Sequence, residues 1–174
     1  EPNPENVALM ERSVAESGLT NVTVIQAGAA AGIGTLALHA ASGNGATSRF
    51  DPGRGARRTA AGLPVDVALS RREGPLRVIK IDVEGFEFEA LRGAERVLAE
   101  DRPVLLLEFA PDGLVDTDGP GLLGWLAARG YGFSVLEGEG PGSPRDAAGV
   151  MEAFARAGVD HIDIMASAQA VPAR

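Results

Sequence analysis

Two short, almost wholly apolar runs, "RVIKID" at 77–82 and "PVLLLEF" at 103–109, flank a segment whose apolar residues recur at helical spacing. Runs of this length without polar alternation read as strands buried on both faces of a parallel sheet. Parallel neighbours cannot be joined by a tight turn, so the segment between them has to cross the sheet, and a single helix of about fifteen residues does so. The resulting βαβ unit commits the chain to an α/β fold. It also fixes where polar chemistry can gather, because in an open sheet of this kind the ligand crevice lies beyond the carboxyl ends of the strands.

The rest of the sequence fits around this unit. "NPENVALMERSVAESG" reads as a helix capped by Asn3, with Pro4 at its first position, Gly18 at its stop, and Val7, Met10 and Val14 as its apolar stripe. "NVTVIQ" and "GTLALH" read as strands, and the Gly-, Ser-, Asn- and Arg-rich residues 40–62 as a loop or weak hairpin. Then follow "GPGLLGWLAARG" as a helix, "YGFSVLEG" as a strand, "SPRDAAGVMEAFARAG" as a helix and "DHIDIMAS" as a last strand. This alternation predicts a mostly parallel twisted sheet with helices on both faces. The 174 residues, 45% of them hydrophobic, suit a single domain spanning 1–174 with a real core.

Four carboxylates crowd the joint between the first core strand and the helix after it: Asp82, Glu84, Glu87 and Glu89. Acids are rarely buried without a partner, so this crowding needs solvent, a cation or a task. On a helical wheel of about 100° per residue, Phe86, Ala90, Leu91, Ala94, Val97 and Leu98 share one face, Glu87 falls inside it and Glu89 well outside. Asp82, Glu84 and Glu87 would meet at the positive end of the helix. They can serve there as its cap, or they can form the polar floor of an active site. Lys80 lies two residues before Asp82, on the same strand face, and reads either as a neutralising partner or as half of a buried ion pair.

Charge and composition narrow the partner. Sixteen Lys and Arg against 24 Asp and Glu give a formal charge of −8, which disfavours nucleic acid and anionic membranes and leaves a small molecule as the expected ligand. There is no cysteine for a disulfide or thiolate site, and His39 and His161 are too distant in sequence to read as a metal pair. With no apolar run near ~20 residues and no signal segment, a soluble cytoplasmic setting is expected. Arg54, Arg57 and Arg58 read as a solvated loop rather than an anion site.

Two blocks carry a resemblance. "EPNPENVALMERSVAESGLTNVTVIQAG" followed by "VIKIDVEGFEFEALRGAERVLAEDRPVLLLEF" resembles the FkbM-type family of methyltransferases that use S-adenosylmethionine (SAM). The likeness covers most of residues 1–109 and continues more loosely to the final strand. It implies a Rossmann-like, seven-stranded methyltransferase fold, with O-methylation of a hydroxyl on a sugar or natural product as the activity. By the same resemblance Glu1 would accept hydrogen bonds from the SAM ribose, and Ala27 and Gly28 would edge the adenine pocket. Asp82 would serve the cofactor, and Asp82, Glu84 and Glu87 would stand near the transferred methyl, while Glu108 would close the next strand at the same edge. Two devices for activating the hydroxyl stay open. One is a general base, with Glu87 first, Asp82 and Glu84 next and His39 last; the other is a Mg²⁺ ion on Asp82, Glu84 or Glu108.

The resemblance also predicts a strand running into D-x-G-A-x-x-G ahead of Glu1, so the expectation is an N-terminally incomplete domain lacking its first strand and most of its second, with sheet edges left unpaired. A rival assignment makes "VIQAGAAAGIGTLAL" the glycine motif itself, although Gln26 stands where an acid belongs. If the site is incomplete, the alternative to an enzyme is a non-catalytic Rossmann-like scaffold that binds a partner.

Overall fold

The computed structural model describes residues 1–40, 48–49, 58–138 and 140–168. In chain order the elements are α1 (Pro4–Glu16), β1 (Gly28–Ala29), β2 (Gly34–Ala40), β3 (Ser48–Arg49), β4 (Arg58–Leu63), α2 (Val65–Ala68), β5 (Val78–Ile81), α3 (Glu87–Arg92) and α4 (Glu95–Glu100). They continue with β6 (Val104–Phe109), a 3-10 turn (Pro111–Gly113), α5 (Gly119–Ala127), β7 (Tyr131–Glu137), β8 (Gly140–Pro141), α6 (Ala147–Ala157) and β9 (Ile162–Ala168). The fold is α/β, as expected. The sheets differ from the expectation. There are two among the described residues, ordered β1-β4-β2-β3 and β5-β6-β9-β7-β8. Only β1 with β4 and β5 with β6 pair in parallel, so a mostly parallel sheet is corrected to mixed ones. The reversal comes from β9, which enters between β6 and β7 antiparallel to both.

Local chemistry starts α1 and α5 where the sequence placed them, while α6 begins at Ala147, four residues after the start that the sequence suggested. The Asn3 side chain accepts from the Glu5 N–H at 3.0 Å, Pro4 opens α1, and Gly18 lies in the left-handed region at φ 64°. Asp118 and Asp146 cap α5 and α6 in the same way, accepting from Gly121 and Gly149. The core lies on one face of the five-stranded sheet. Ile81, Leu105, Leu107, Phe133 and Ile164 pack there against Leu91, Leu98, Leu122, Leu126 and Val150 from the helices. Each of these large apolar side chains contributes about 1.5–3 kcal/mol on burial.

The opposite face carries Lys80, Asp82, Leu106, Glu108, Asp163 and Met165, in register across β5, β6 and β9 and only partly covered. Helices on both faces, and strands buried on both faces, are therefore corrected: β6 alternates buried and half-buried residues, and Val78 of β5 is 52% exposed. An apolar run has the same sequence whether one of its faces is covered or both. "NVTVIQ" is a second correction. Residues 22–26 have strand composition but join neither sheet, and Val22 and Ile25 are exposed. β propensity expresses packing against neighbours, and here no neighbouring strand pairs with them.

The expected crossover helix is two helices, α3 and α4, broken at Gly93 and Ala94. The break is imposed from outside the helix. Gly93 presses so closely on the strand-end loop at Ala30 that a Cβ would stand 2.1 Å from the Ala30 carbonyl oxygen. The Gly93 carbonyl accepts from Asp66 N–H at 2.9 Å. The Asp66 carboxylate then reaches the start of α4, accepting from Arg96 N–H at 2.8 Å and Val97 N–H at 3.0 Å. A short helix with no cap of its own borrows one from α2, and the two sheets are tied at that point. Nearby, Asp101 pairs with Arg72 and accepts from Leu76 N–H at 2.9 Å; that backbone donor first, and Arg72 next, hold its carboxyl below the usual carboxylate range.

Asp66→Ala removes both acceptors from α4 while leaving the apolar core in place. It should lower stability by about 1–2 kcal/mol, or about 2–8 °C in melting temperature, read by thermal denaturation. An unchanged melting temperature would mean that α4 does not depend on the borrowed cap.

Candidate active site

Strand β5 ends in a turn that decides where its acids go. Phe86 N–H donates to the Val83 carbonyl at 3.3 Å, and both residues between them, Glu84 (φ 55°) and Gly85 (φ 98°), have positive φ. Such a turn favours glycine at its second central residue and strains a glutamate at its first. Gly85 could not be larger, since a Cβ there would lie 2.3 Å from the Gly113 carbonyl oxygen, and its own carbonyl accepts from Val115 N–H at 2.9 Å. The turn is thus clamped to the loop that follows β6.

Glu87 supplies the second clamp. It is 3% exposed, and its Oε1 accepts from Val83 N–H and from Gly85 N–H, each at 3.2 Å. Its Oε2 is buried without a hydrogen-bond partner. The helix cap reading is corrected: Glu87 ties down the turn ahead of α3, while Asp82 and Glu84 make no cap bond to the helix, whose N-cap is Phe86. Glu87, expected first among the candidate bases, lies beneath the turn rather than in the cavity, because the two backbone donors hold it there. Glu89 pairs with Arg92 at 2.9 Å on the helix surface.

Above the turn opens a cavity of about 860 Å³ between the two sheets. Glu1, Ala27, Gly28, Asp82 and Glu84 all line it, with Lys80 beside them. The structure therefore brings together the residues singled out for cofactor binding, although they come from the N-terminus, the approach to β1 and the end of β5. The volume lies within the range of small-molecule and cofactor sites. Glu1 Oε1 accepts from Asn3 N–H at 2.7 Å, which fixes the carboxylate at one end, small residues follow, and the acids of the turn close the other end.

Lys80 Nζ meets Asp82 Oδ2 at 2.6 Å, with both side chains well exposed, so the pair is a surface one rather than a buried one. Its hydrogen bond to Lys80 holds Asp82 below the usual carboxylate range, and Lys80 is pushed up in return. A cation already occupies the place where Mg²⁺ was expected. Among the described residues no group of three His, Cys, Asp or Glu side chains is arranged to hold a metal ion, and Asp82, Glu84 and Glu108 form no such group.

Glu108, one residue before the end of β6, lies outside the cavity lining, next to His161, whose Nε2 lies 3.5 Å from Glu108 Oε1. Sequence reasoning set His161 aside. The available signal was its position just ahead of the last strand, which puts it at this edge if that strand runs antiparallel. His39 pairs in register with Arg49 on β3, but its side chain falls outside the described residues, as do Arg54, Arg57 and the side chain of Arg58. No described helix is long and apolar enough to cross a membrane.

The pattern that defines the methyltransferase FkbM domain matches residues 1–135. A crystal structure of methyltransferase FkbM from Methylobacillus flagellatus KT is similar in fold, with a TM-score of 0.59 at 18% sequence identity, over 95% of this chain and 35% of that one. The chain thus spans about a third of the length of that relative. No curated protein gives a significant match.

Glu87→Ala leaves Val83 N–H and the buried Gly85 N–H without their acceptor, and should lower stability by about 2 kcal/mol. Amide exchange at Val83 and Gly85 should quicken in step. A variant that melts normally and keeps both amides protected would remove Glu87 as the clamp of the turn.

Proposed function

Since the chain belongs to the FkbM-domain methyltransferase family, we propose that it binds SAM in the cavity between its two sheets and takes part in O-methylation of a hydroxyl on a small molecule such as a sugar or natural product. The observation that carries this reading is the convergence of Glu1, Ala27, Gly28, Asp82 and Glu84 on one cavity of about 860 Å³. The donor set fits the cofactor. A carboxylate such as Glu1 accepts two hydrogen bonds at once, which suits the cis-diol of a ribose. Ala27 and Gly28 leave room for a flat base. When bound, the cofactor supplies an activated methyl carbon on sulfur.

The chain's own residues have the remaining work. The clamped turn holds Asp82 and Glu84 at the far end of the cavity, where they orient the substrate hydroxyl. Holding a nucleophile in attack geometry can lower a barrier by about 7–11 kcal/mol, provided the supporting backbone does not drift. Strain stored at Glu84 supports this assignment, since a side chain kept in the left-handed region at a cavity wall is a recurrent feature of functional sites. Asp82 stays ionised through Lys80 and presents a fixed negative charge.

Titration calorimetry with SAM tests the reading. Glu1→Gln should weaken binding about tenfold, the effect of losing one charge-assisted hydrogen bond of about 1.4 kcal/mol, with the fold unchanged. Affinity that is indifferent to Glu1→Gln, or a complete lack of SAM binding, would overturn the placement of the cofactor.

A further inference from the structure

Beyond Asp82 the cavity edge continues into a line of side chains that the reading above leaves unused. The Asp82 and Glu108 carboxyls stand at neighbouring strand ends, close enough for each to act on the other's ionisation. Glu108 Oε1 stands 3.5 Å from His161 Nε2, and the other ring nitrogen, Nδ1, lies 2.9 Å from Asp160 Oδ1. The topology makes this meeting unavoidable. β5, β6 and β9 are neighbours, and because β9 runs antiparallel, its first residues face the last residues of β6, with Phe109 opposite Ile162 and Glu108 opposite Asp163.

We propose that Glu108 and His161 form the proton-accepting pair of the transfer, taking the proton released by the substrate hydroxyl and delivering it to solvent beside Asp160. The proposal rests on the SAM-binding reading above. In the step itself the substrate hydroxyl sits at the cavity rim between Asp82 and Glu108, its oxygen forms the bond to the methyl carbon, the carbon–sulfur bond breaks with its electron pair left on sulfur, and the hydroxyl proton passes to Glu108 Oε1 and on to His161 Nε2.

Geometry gives each member its part. With Nδ1–H donated to Asp160, the ring presents its Nε2 to Glu108 Oε1 at 3.5 Å, a distance at which a proton on either atom is attracted by the other. Glu108 is suited to receive that proton: desolvation first, and then the charge of Asp82, push its carboxyl above the usual range. His161 is suited to hold it, raised first by its hydrogen bond to Asp160 and also by the charge of Glu108. Asp82 is not, because Lys80 keeps it ionised. Glu84 and Asp163 add negative charge around the pair, and the Lys80 ammonium acts on Glu108 from the neighbouring strand with the opposite sign. The route ends in water, since Asp160 is 92% exposed and His161 about half exposed. Glu87, the other carboxylate close by, is held by its own turn.

The pair is tested first without cofactor, by following the His161 imidazole through a pH titration by NMR. Its midpoint should stand above that of a free imidazole and fall back toward it in Glu108→Gln. Methyl transfer is then measured for Glu108→Gln and His161→Gln, each expected to lose about 100-fold or more in kcat, with SAM affinity within about twofold of the parent, since neither residue lines the cavity. The parent's rate should also rise with pH along the His161 titration, and that limb should disappear in His161→Gln. A His161 midpoint unmoved by Glu108→Gln overturns the pair, as does near-parental turnover in both variants. Absence of SAM binding in the parent would instead overturn the cofactor reading, which the titration of His161 does not depend on.

Discussion

The turn from Val83 to Phe86 is the joint on which the site depends. A strand must stop there, a helix must begin, and two acids must be left facing a cavity, all within four residues. Positive φ at Glu84 and Gly85 makes the reversal. It is an unfavourable conformation for a glutamate, by about 1–2 kcal/mol, and it persists only because the surroundings hold it. Glu87 gathers two of the turn's N–H groups from below, and the loop after β6 closes on Gly85 from the side. A carboxylate that appeared from its helical position to be a candidate base is instead what makes the rest of the acidic motif rigid.

The cavity follows from a second constraint, the way the two sheets are joined. Asp66 and Gly93 bring the end of β4 and its short helix against the break between α3 and α4. This contact fixes the first sheet against the helices of the second and leaves open space between β1 and the end of β5, with Thr23, Val24 and Ile25 along one side. Glu1 reaches the same space because α1 and its Asn3 cap set the direction of the first residues, and because the Glu1 backbone nitrogen donates to the Ile25 carbonyl at 3.2 Å. The cavity is therefore assembled from segments far apart in sequence, each brought there by backbone hydrogen bonds.

What the sequence made legible is what local chemistry determines. Asn3 announces a helix that begins where it should, and the strands β2, β5, β6, β7 and β9 match the runs that predicted them to within a residue or two at their ends. What it hid is decided at long range. Nothing in "FEALRGAERVL" says that the helix breaks at Gly93, because the cause is the Ala30 carbonyl on another element. Nothing in "NVTVIQ" says that it stays unpaired. The direction of β9 was equally hidden, since a strand reached through a helix can enter a sheet either way, and with it went the meaning of His161. The acids of the motif were found by their pattern, but which of them faces the cavity depended on a turn geometry that the pattern does not encode.

Asp82 is where the two halves of the site meet, and its surroundings explain how one sheet edge can hold so many acids. Asp82, Glu108 and Asp163 lie on the same face at the ends of adjacent strands, an arrangement in which like charges repel. Lys80, two residues back on β5, offsets part of that repulsion and decides its outcome. Burial first, and then the charge of the Asp82 that Lys80 keeps ionised, leave the Glu108 carboxyl holding a proton more firmly than usual. The same edge thus carries a fixed negative charge toward the cavity and, one strand over, a group that can gain and lose a proton. A sheet edge needs that separation of roles if one acid is to orient a hydroxyl while another takes its proton.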